Sequence, residues 1–458
     1  MNACRVTLTP YAGNGEILRV DVAMVFDALP VQAGQTLLRA QLNTVSVPGA
    51  DMEKVWVTDC EGQVPFTTRE EEEYPIRWRY FDAARTTRGS VTLRYTVTPC
   101  ERPDHGRHGP YFEFARENGG VSGPGLAFLP DVPGFTGDTF LHWDFARMPA
   151  NSRGVCTWGE GDVRLAGTLD SLRQAYFSLG PVQSVTEGEF GFYWLTEPAF
   201  DVRALATFTK KLFGIMQRFF RDDKAVYRVF MRHDLTESSG GTALERSYMF
   251  GWNHHQTVTV AEKQNLLAHE MVHNWPRLND QPYGVTTWYS EGTAEYYSIM
   301  IPLRSGLITK EQALLEIQKR TDAYYTNPTR RLSNMEAARV AWQDRRAQRL
   351  SYGRGVFFLA NTDAKIRKAT EGKASIDDVV LYLLEQDRLG ATLGNETFLE
   401  AVQNMGGIDV RADWQRMCDG DAFAPLEDSF DGLFTVTETE AVEADTGKAA
   451  VSYRWAVR

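Results

Sequence analysis

The feature that most constrains the fold of this chain is a change in the spacing of its apolar residues near residue 198. From residue 4 to about 100, short runs alternate apolar and polar residues between Gly, Pro and Asp. A helical spacing follows at 203–220, then one buried strand at 225–231, and helical spacing dominates to about residue 420. Since alternation is typical of strands, the sequence predicts a multi-domain α+β protein, β-rich at its N-terminus.

These patterns predict three regions in a chain of 458 residues. A β-rich domain is expected at residues 1–165, and a mixed, then helical, domain at 166–425. A short β-forming tail is expected at 426–458, where the alternation returns. The acidic run at residues 70–73 is interpreted as a solvated loop.

Charge and composition exclude several classes of partner. The formal net charge is −11, from 60 acidic and 49 basic residues, and no dense Lys/Arg block occurs, so no nucleic-acid partner is expected. The apolar stretches are too short to span a membrane, and the N-terminus lacks the pattern of a secretory signal. Five cysteines are scattered without ligand spacing. We therefore expect a cytoplasmic protein with reduced thiols and no membrane partner.

Two histidines occur one helical turn apart within residues 259–275. This segment begins with a capping box headed by Thr259 and has no Gly or Pro before its end, so it is predicted to be a helix. His269 and His273 would project from one face at the separation that two zinc ligands require. Glu270 lies beside them, placed to take a proton from water held at the metal. The alternative is two surface histidines on an amphipathic helix.

A second helix, predicted to start at residue 288, carries two further carboxylates. Glu291 follows His273 by 18 residues, close enough for the chain to turn back and place it against the metal. Glu295, one turn later, is expected to accept the free ring N–H of a ligating histidine, with a solvated carboxylate as the alternative. Two histidines and one carboxylate leave a position for water, which is typical of catalytic zinc. One Zn²⁺ per chain is expected.

Hydrolysis at such a site also requires a donor for the oxyanion that develops on the substrate carbonyl. Tyr352, in Leu350-Ser-Tyr352-Gly-Arg-Gly355, is the preferred candidate, and a half-buried structural tyrosine is the alternative. Tyr283 and Tyr289 are rivals that spacing alone does not exclude.

Together these residues resemble the gluzincin zinc metallopeptidases, in which HExxH on one helix is completed by a glutamate from the next. Within that class the order of motifs is similar to that of the glycyl aminopeptidase family. The motifs are His273-Asn-Trp-Pro-Arg-Leu, Trp288-Tyr-Ser-Glu-Gly-Thr-Ala-Glu-Tyr-Tyr, Tyr352-Gly-Arg-Gly and Gly372-Lys-Ala-Ser-Ile-Asp-Asp-Val. The resemblance covers roughly residues 200–420. It implies a thermolysin-like catalytic domain and a transition-state role for Tyr352. The PDZ-like domain that commonly follows in this family is not expected here, since only about forty residues remain after Asp419.

A further stretch, Gly240-Gly241-Thr-Ala-Leu-Glu245-Arg246, resembles the Gly-Gly-Leu-Glu-His stretch on the substrate edge strand of such enzymes. By this resemblance Gly240 and Gly241 let the substrate backbone approach, and Glu245 pairs with a free α-ammonium group. Two residues are inserted after the glycines, and Arg246 stands where the family has histidine. An ordinary loop is the alternative for the two glycines.

The sequence therefore predicts a zinc aminopeptidase that acts on peptide substrates with a free N-terminus. An endopeptidase of the same class is the first alternative. A metal-binding scaffold without activity is the second, and the presence of Glu270 argues against it, because a carboxylate beside metal-held water has a use only in catalysis.

Overall fold

The computed structural model describes residues 2–44, 47–48, 52–73, 76–103, 110–237, 239–255, 260–282, 284–341 and 343–458. The chain divides into two compact units, one made of Met1–Lys210 and Lys224–Val260 and the other of Lys211–Asp223 and Ala261–Arg458. The first unit is built mainly of strands and the second mainly of helices. The predicted order, β-rich and then helical, is confirmed. The predicted boundaries at residues 165 and 425 stay predictions.

Within the described residues, 22 strands and one short α-helix lie wholly in the first unit. The strands are β1 (Ala3–Gly13), β2 (Glu16–Phe26), β3 (Thr36–Gln41), β4 (Asn43–Thr44), β5 (Val47–Pro48), β6 (Met52–Asp59), β7 (Gly62–Gln63), β8 (Phe66–Glu73), β9 (Ile76–Ala83), β10 (Val91–Val97), β11 (Ala115–Glu117), β12 (Gly120–Pro124), β13 (Asp138–Trp143), β14 (Arg153–Cys156), β15 (Gly159–Glu160), β16 (Val163–Leu165), β17 (Tyr176–Gly180), β18 (Gln183–Glu187), β19 (Phe190–Trp194), β20 (Tyr227–His233), β21 (Gly241–Leu244) and β22 (Ser247–Trp252). The short helix is α1 (Asp170–Arg173), and α2 (Val202–Phe219) follows β19.

These strands form four sheets of three or more strands among the described residues. Their orders are β16-β13-β1-β2-β10-β6-β7, β11-β12-β17-β14-β15, β18-β19-β20-β22-β21 and β3-β9-β8. Burial alternates along β2 and β10, so that Val22, Met24 and Leu93 lie in the core of the unit while their neighbours are partly or fully exposed. This alternation is the pattern from which the sequence predicted strands.

The acidic run at residues 70–73 lies in strand β8, so its interpretation as a loop is wrong. Glu70 is opposite Arg79 in the register of β8 and β9, and Glu72 is opposite Arg77. The Arg79 Nη2 to Glu70 Oε1 distance is 2.9 Å. Opposite charges across the ladder therefore stabilise a strand whose own residues have low β-propensity.

The second unit contains nine helices and one hairpin within the described residues. The helices are α3 (Val260–Val272), α4 (Thr287–Arg304), α5 (Lys310–Tyr325), α6 (Asn334–Val340), α7 (Arg345–Gln348), α8 (Leu350–Ala369), α9 (Ile376–Arg388), α10 (Asn395–Gly406) and α11 (Arg411–Cys418), and the hairpin strands are β23 (Phe434–Val442) and β24 (Ala449–Val457). The hairpin packs on α5, where Trp455 Nε1 donates to Thr321 Oγ1 at 2.9 Å. In the part of the chain that is described, no helix has the length and apolar character needed to cross a bilayer.

Helices α4 and α8 cross at two glycines. A Cβ atom on Gly292 would lie 2.5 Å from the Cα of Gly355, and one on Gly355 would lie 2.0 Å from the carbonyl oxygen of Trp288. Neither distance is tolerable, so the backbones approach this closely only because both residues lack a side chain. Glu291 precedes one of these glycines and Tyr352 lies one turn before the other, so the crossing brings the two side chains together.

Candidate metal centre

The two histidines lie at the C-terminal end of α3. Helix α3 ends at Val272, and the next turn is tighter, with the backbone N–H groups of Asn274 and Trp275 donating three residues back at 3.2 and 3.0 Å. The helix predicted through residue 275 is therefore one turn too long. His273 still follows His269 by one turn, since the tighter turn continues the same rotation. The capping residue Thr259 lies outside the described residues.

Three donor atoms from α3 and α4 converge in the second unit. The Nε2 atoms of His269 and His273 are 3.2 Å apart, and Oε2 of Glu291 lies 3.3 Å from the first and 3.6 Å from the second. Tetrahedral zinc with bonds of about 2.0–2.1 Å separates its ligand atoms by about 3.3–3.4 Å. The triangle therefore has the size of one face of a zinc coordination shell. Among the described residues, these three side chains are the cluster of histidine, cysteine or carboxylate groups whose atoms lie close enough together to hold a metal ion.

The hydrogen bonding of the triangle also fits a metal. Oε2 of Glu291 is buried and accepts no hydrogen bond of good geometry from any residue that the structure describes. A buried carboxylate oxygen without a donor is costly. A divalent cation between this oxygen and the two ring nitrogens would satisfy all three atoms, and two nitrogens with one oxygen are ligands that zinc prefers.

The surrounding charges favour a cation at the same point. Burial lowers the pKa of His269, but the carboxylates of Glu295 and Glu291 outweigh burial and raise it to about 10. Burial lowers the pKa of His273 to about 4. Burial raises the pKa of Glu295, but Arg320 and His269 outweigh it and lower that pKa to about 2. The carboxylates thus stay ionised and hold positive charge beside them.

The second ring nitrogen of each histidine has its own neighbour. Nδ1 of His269 lies 3.1 Å from Oε1 of Glu295, whose other oxygen pairs with Nε of Arg320. Nδ1 of His273 lies 3.5 Å from Oγ of Ser290. Arg320 and Ser290 were not predicted from the sequence. Arg320 lies on α5 with no spacing relation to the motif, whereas Ser290, adjacent to Glu291, could have been considered.

Tyr352 lies in the first turn of α8 with its ring stacked on that of His269, at a centroid distance of 5.5 Å and an interplanar angle of 5°. Burial raises the pKa of the Tyr352 phenol, so it carries its proton at neutral pH. The rival Tyr289 is buried between the rings of Trp288 and Phe398. The other rival, Tyr283, lies outside the described residues.

The residues that follow Tyr352 fix its position. A Cβ on Gly353 would lie 2.6 Å from Cβ of Tyr324, so this glycine allows α8 to pack directly against α5. Arg354 is fully buried, donating to Oδ1 of Asn334 at 2.8 Å and to the carbonyl oxygen of Arg330 at 2.7 Å. The motif after Tyr352 therefore holds the first turn of α8 in place.

Two cavities lie beside this cluster, and Tyr352 lines both of them. The larger, about 290 Å³, is lined by charged and polar side chains that include Glu270. The smaller, about 120 Å³, is lined by Glu291, Thr287 and alanines of α6 and α7. Glu270, next to His269 in the chain, is half-buried and lines the larger cavity together with His269 and Tyr352.

The glycine-rich stretch lies in the first unit. Gly241 begins β21, which is the edge strand of its sheet, and Glu245 is exposed in the turn that leads to β22. The N–H of Gly240 donates to Oη of Tyr111 at 3.2 Å. A Cβ on Gly241 would lie 1.7 Å from Oη of Tyr248, so glycine is favoured there by a neighbouring side chain. The substrate-binding roles of Gly240, Gly241 and Glu245 stay predictions.

Comparison with known proteins gives one family and several related folds. The family model for M61 glycyl aminopeptidase matches residues 262–355. No curated protein matches the sequence. An aminopeptidase N family protein from Idiomarina loihiensis has a TM-score of 0.68 at 15% identity, over 98% of this chain and 81% of its own. The M1 zinc metallopeptidase from Deinococcus radiodurans has a TM-score of 0.53 at 16% identity, over 93% and 94%. Its variant bound to a Tyr-Ser-Ala substrate has a TM-score of 0.54 at 15% identity, over 93% and 94%.

The family match and the folds agree with the motifs. The matched segment carries both histidines, Glu291 and Tyr352. At 14–16% identity the solved structures show the fold, which is the multi-domain fold of aminopeptidase N-like proteins. The predicted resemblance to gluzincin aminopeptidases is confirmed, and the enzyme class is that of the zinc metallopeptidases.

Proposed function

We propose that this metallopeptidase releases N-terminal residues from peptides with a free N-terminus, using one zinc ion held by His269, His273 and Glu291. The observation that carries the proposal is the triangle of three donor atoms 3.2–3.6 Å apart, beside a cavity that Glu270 and Tyr352 both line. When bound, zinc would polarise the substrate carbonyl and lower the pKa of the attacking water to about 7.

Glu270 is proposed as the general base and acid. Its carboxylate takes the proton of the attacking water and returns it to the leaving amine, so that the amine departs in neutral form. A carboxylate can do both because the proton it gains in the first step is the one that the leaving nitrogen needs in the second. The position of Glu270 beside His269 supports this role, since the same helix end carries both.

Tyr352 is proposed as the donor to the oxyanion that forms on the carbonyl oxygen. Its raised pKa keeps the phenol protonated, and the stacking on His269 and the packing behind Gly353 hold it still. A preorganised donor of this kind stabilises the transition state more than the ground state. Glu295 is proposed to orient the ring of His269, with Arg320 keeping that carboxylate ionised.

The exopeptidase assignment rests on the resemblance around Glu245 and on the related proteins. Glu245 is proposed to pair with the α-ammonium of the substrate, and Gly240 and Gly241 to line the substrate backbone. An M1 zinc metallopeptidase with the same fold was crystallised as a variant with a Tyr-Ser-Ala substrate, and a two-domain M1 zinc metallopeptidase as a variant with L-arginine. Peptides and free amino acids are therefore the substrate and product classes that we propose for this chain.

The test is hydrolysis of a panel of aminoacyl chromogenic amides beside their N-acetylated forms. Zinc-loaded protein should cleave the free-amine set, lose activity with a chelator and regain it when zinc is added back. Cleavage of both sets alike would indicate an endopeptidase and remove the role of Glu245. Absence of cleavage of either set, and of longer peptides, would overturn the proposed reaction.

A further inference from the structure

The larger cavity beside the metal centre contains two basic side chains that the proposed reaction does not use. Lys319 and Arg349 line it together with His269, Glu270 and Tyr352. Its volume of about 290 Å³ is close to the lower limit of about 300 Å³ for small-ligand pockets. This space therefore accommodates a short piece of peptide.

The two basic side chains differ in their partners. Nζ of Lys319 lies 2.8 Å from a carboxylate oxygen of Glu316. The neighbouring Arg320 is likewise paired, with Glu295 and Glu316. Arg349, by contrast, has no carboxylate within ion-pair distance among the residues that the structure describes, and its guanidinium lies over the ring of Tyr352 instead. Arg349 is thus the cation of this cavity with hydrogen-bond donors available for a ligand.

The position of Arg349 limits how far its guanidinium can be from the metal ligand His269. Its Cζ is 4.8 Å from the Tyr352 ring centroid, and that ring is 5.5 Å from the ring of His269. The guanidinium is therefore at most about 10 Å from the ligand ring, and an extended peptide advances about 3.3–3.6 Å per residue. A carboxylate bound by Arg349 therefore lies within about three residues of an extended peptide from the ring of His269, which is the length range of dipeptides and tripeptides.

We propose that Arg349 binds the C-terminal carboxylate of dipeptide and tripeptide substrates, so that the enzyme prefers short peptides with a free carboxyl end. The planar guanidinium matches a carboxylate with two parallel hydrogen bonds. Four carboxylates, those of Glu262, Glu270, Glu295 and Glu316, also line the cavity and repel an anion, so Arg349 is the point at which a peptide carboxylate meets a cation without an ion-pair partner among the described residues. This inference rests on the proposed peptidase reaction and names its substrate class.

The test compares alanine peptides of two to five residues as free acids and as C-terminal amides, with release of alanine measured by mass spectrometry. For the dipeptide and tripeptide the wild-type enzyme should have a kcat/KM about ten-fold higher on the acid than on the amide, through KM. The preference should decline at four and five residues. Arg349→Gln should remove it, and Arg349→Lys should keep part of it because the charge remains while the paired hydrogen bonds do not.

The matched control is Lys319→Gln, which removes one positive charge from the same cavity. Because Lys319 is already paired with Glu316, this variant should keep the preference for acids within about two-fold. Zinc content and thermal unfolding of each variant establish that it is folded and loaded.

The outcomes separate this inference from the reaction on which it rests. Cleavage of amides and acids at equal rates by the wild-type enzyme would overturn the inference and leave the peptidase reaction standing. So would equal losses on acids and amides in Arg349→Gln, which would mean that Arg349 acts through Tyr352. Absence of cleavage of every peptide would overturn the proposed reaction, and the inference with it.

Discussion

Each unit of the molecule contains a buried cluster of charged side chains, and the two clusters differ in how their atoms are satisfied. In the first unit, the fully buried Arg232 pairs with the carboxylate of Glu113 and donates to Oγ and to the carbonyl oxygen of Ser122 at 3.1 and 2.6 Å. In the second unit, Oε2 of Glu291 and the Nε2 atoms of the two histidines converge on one point, and Oε2 of Glu291 has no well-aligned donor among the described residues.

The comparison distinguishes a buried charged cluster that stabilises the fold, around Arg232, from one that is arranged to bind a metal, around His269. The guanidinium of Arg232 has its partners, Glu113 and Ser122, within the unit, so this pairing serves the fold. Around His269 three zinc-ligand atoms converge and Oε2 of Glu291 lacks a well-aligned donor among the described residues, so a cation would complete the cluster. A Glu to Gln substitution should therefore lower catalytic activity in the second unit and the free energy of unfolding in the first unit.

The largest effect is expected from Glu270→Gln in the second unit. The ligands are unchanged, so zinc should stay bound, while kcat should fall about 10³-fold because the base is lost. Peptide hydrolysis and the zinc content of the purified variant measure the two quantities. Turnover close to that of the wild-type enzyme would rule out Glu270 as the base.

The matched substitution in the first unit is Glu113→Gln. It removes the nearest counter-ion of the buried Arg232, so the free energy of unfolding should fall by about 3–5 kcal/mol. Activity per folded molecule and zinc content should stay the same. Denaturant titration with parallel assays measures both, and an altered zinc affinity in this variant would show that the division between the two clusters is false.

A smaller effect is expected from Glu295→Gln. This change removes the carboxylate from the far side of His269 and should weaken zinc binding by about 10- to 100-fold, with the three ligands intact. Competition with a chelating dye measures the affinity. Ser290→Ala is the control at the other histidine, where a contact of 3.5 Å predicts a weaker effect. Equal losses in the two variants would contradict the special role of Glu295.

The smallest effect concerns pH. Because the pKa of His269 is raised to about 10 in the metal-free protein and that of His273 is lowered to about 4, zinc displaces about one proton at pH 7. Apparent zinc affinity should rise about ten-fold per pH unit, and calorimetry in buffers of different ionisation enthalpy counts the proton. Binding without proton release would contradict this assignment.

The raised pKa of His269 also affects the stability of the metal-free protein. Protonation of His269 stabilises the folded form, fully below the ordinary pKa of 6.5, and this stabilisation should be lost as pH rises towards 10.

The four histidine and glutamate side chains predicted around the metal share one property, which is regular spacing along the chain. His269 and His273 are one turn apart, and Glu291 and Glu295 are one turn apart, so helical periodicity alone places each pair on one face. Tyr352 was identified by resemblance and by its chemistry, and the structure places its ring on His269.

The parts that were missed depend on contacts between elements distant in sequence. Arg320 and Arg349 reach the site from α5 and from the start of α8, and no local pattern distinguishes them from other arginines of the chain. The acidic strand β8 was mistaken for a loop for the same reason, because the arginines that stabilise it belong to β9. Cross-element pairing, and not local propensity, decided each of these cases.

The crossing of α4 and α8 has a consequence for how the site tolerates change. The distance between the backbones that carry Glu291 and Tyr352 is set by two residues that have no side chain, Gly292 and Gly355. It therefore depends on main-chain contact and not on the rotamers of larger side chains. It should vary little with temperature or with the ligand that is bound. One methyl group added at either glycine would push the helices apart and change the distance between Glu291 and Tyr352. Activity should fall although every side chain that contacts the substrate is unchanged.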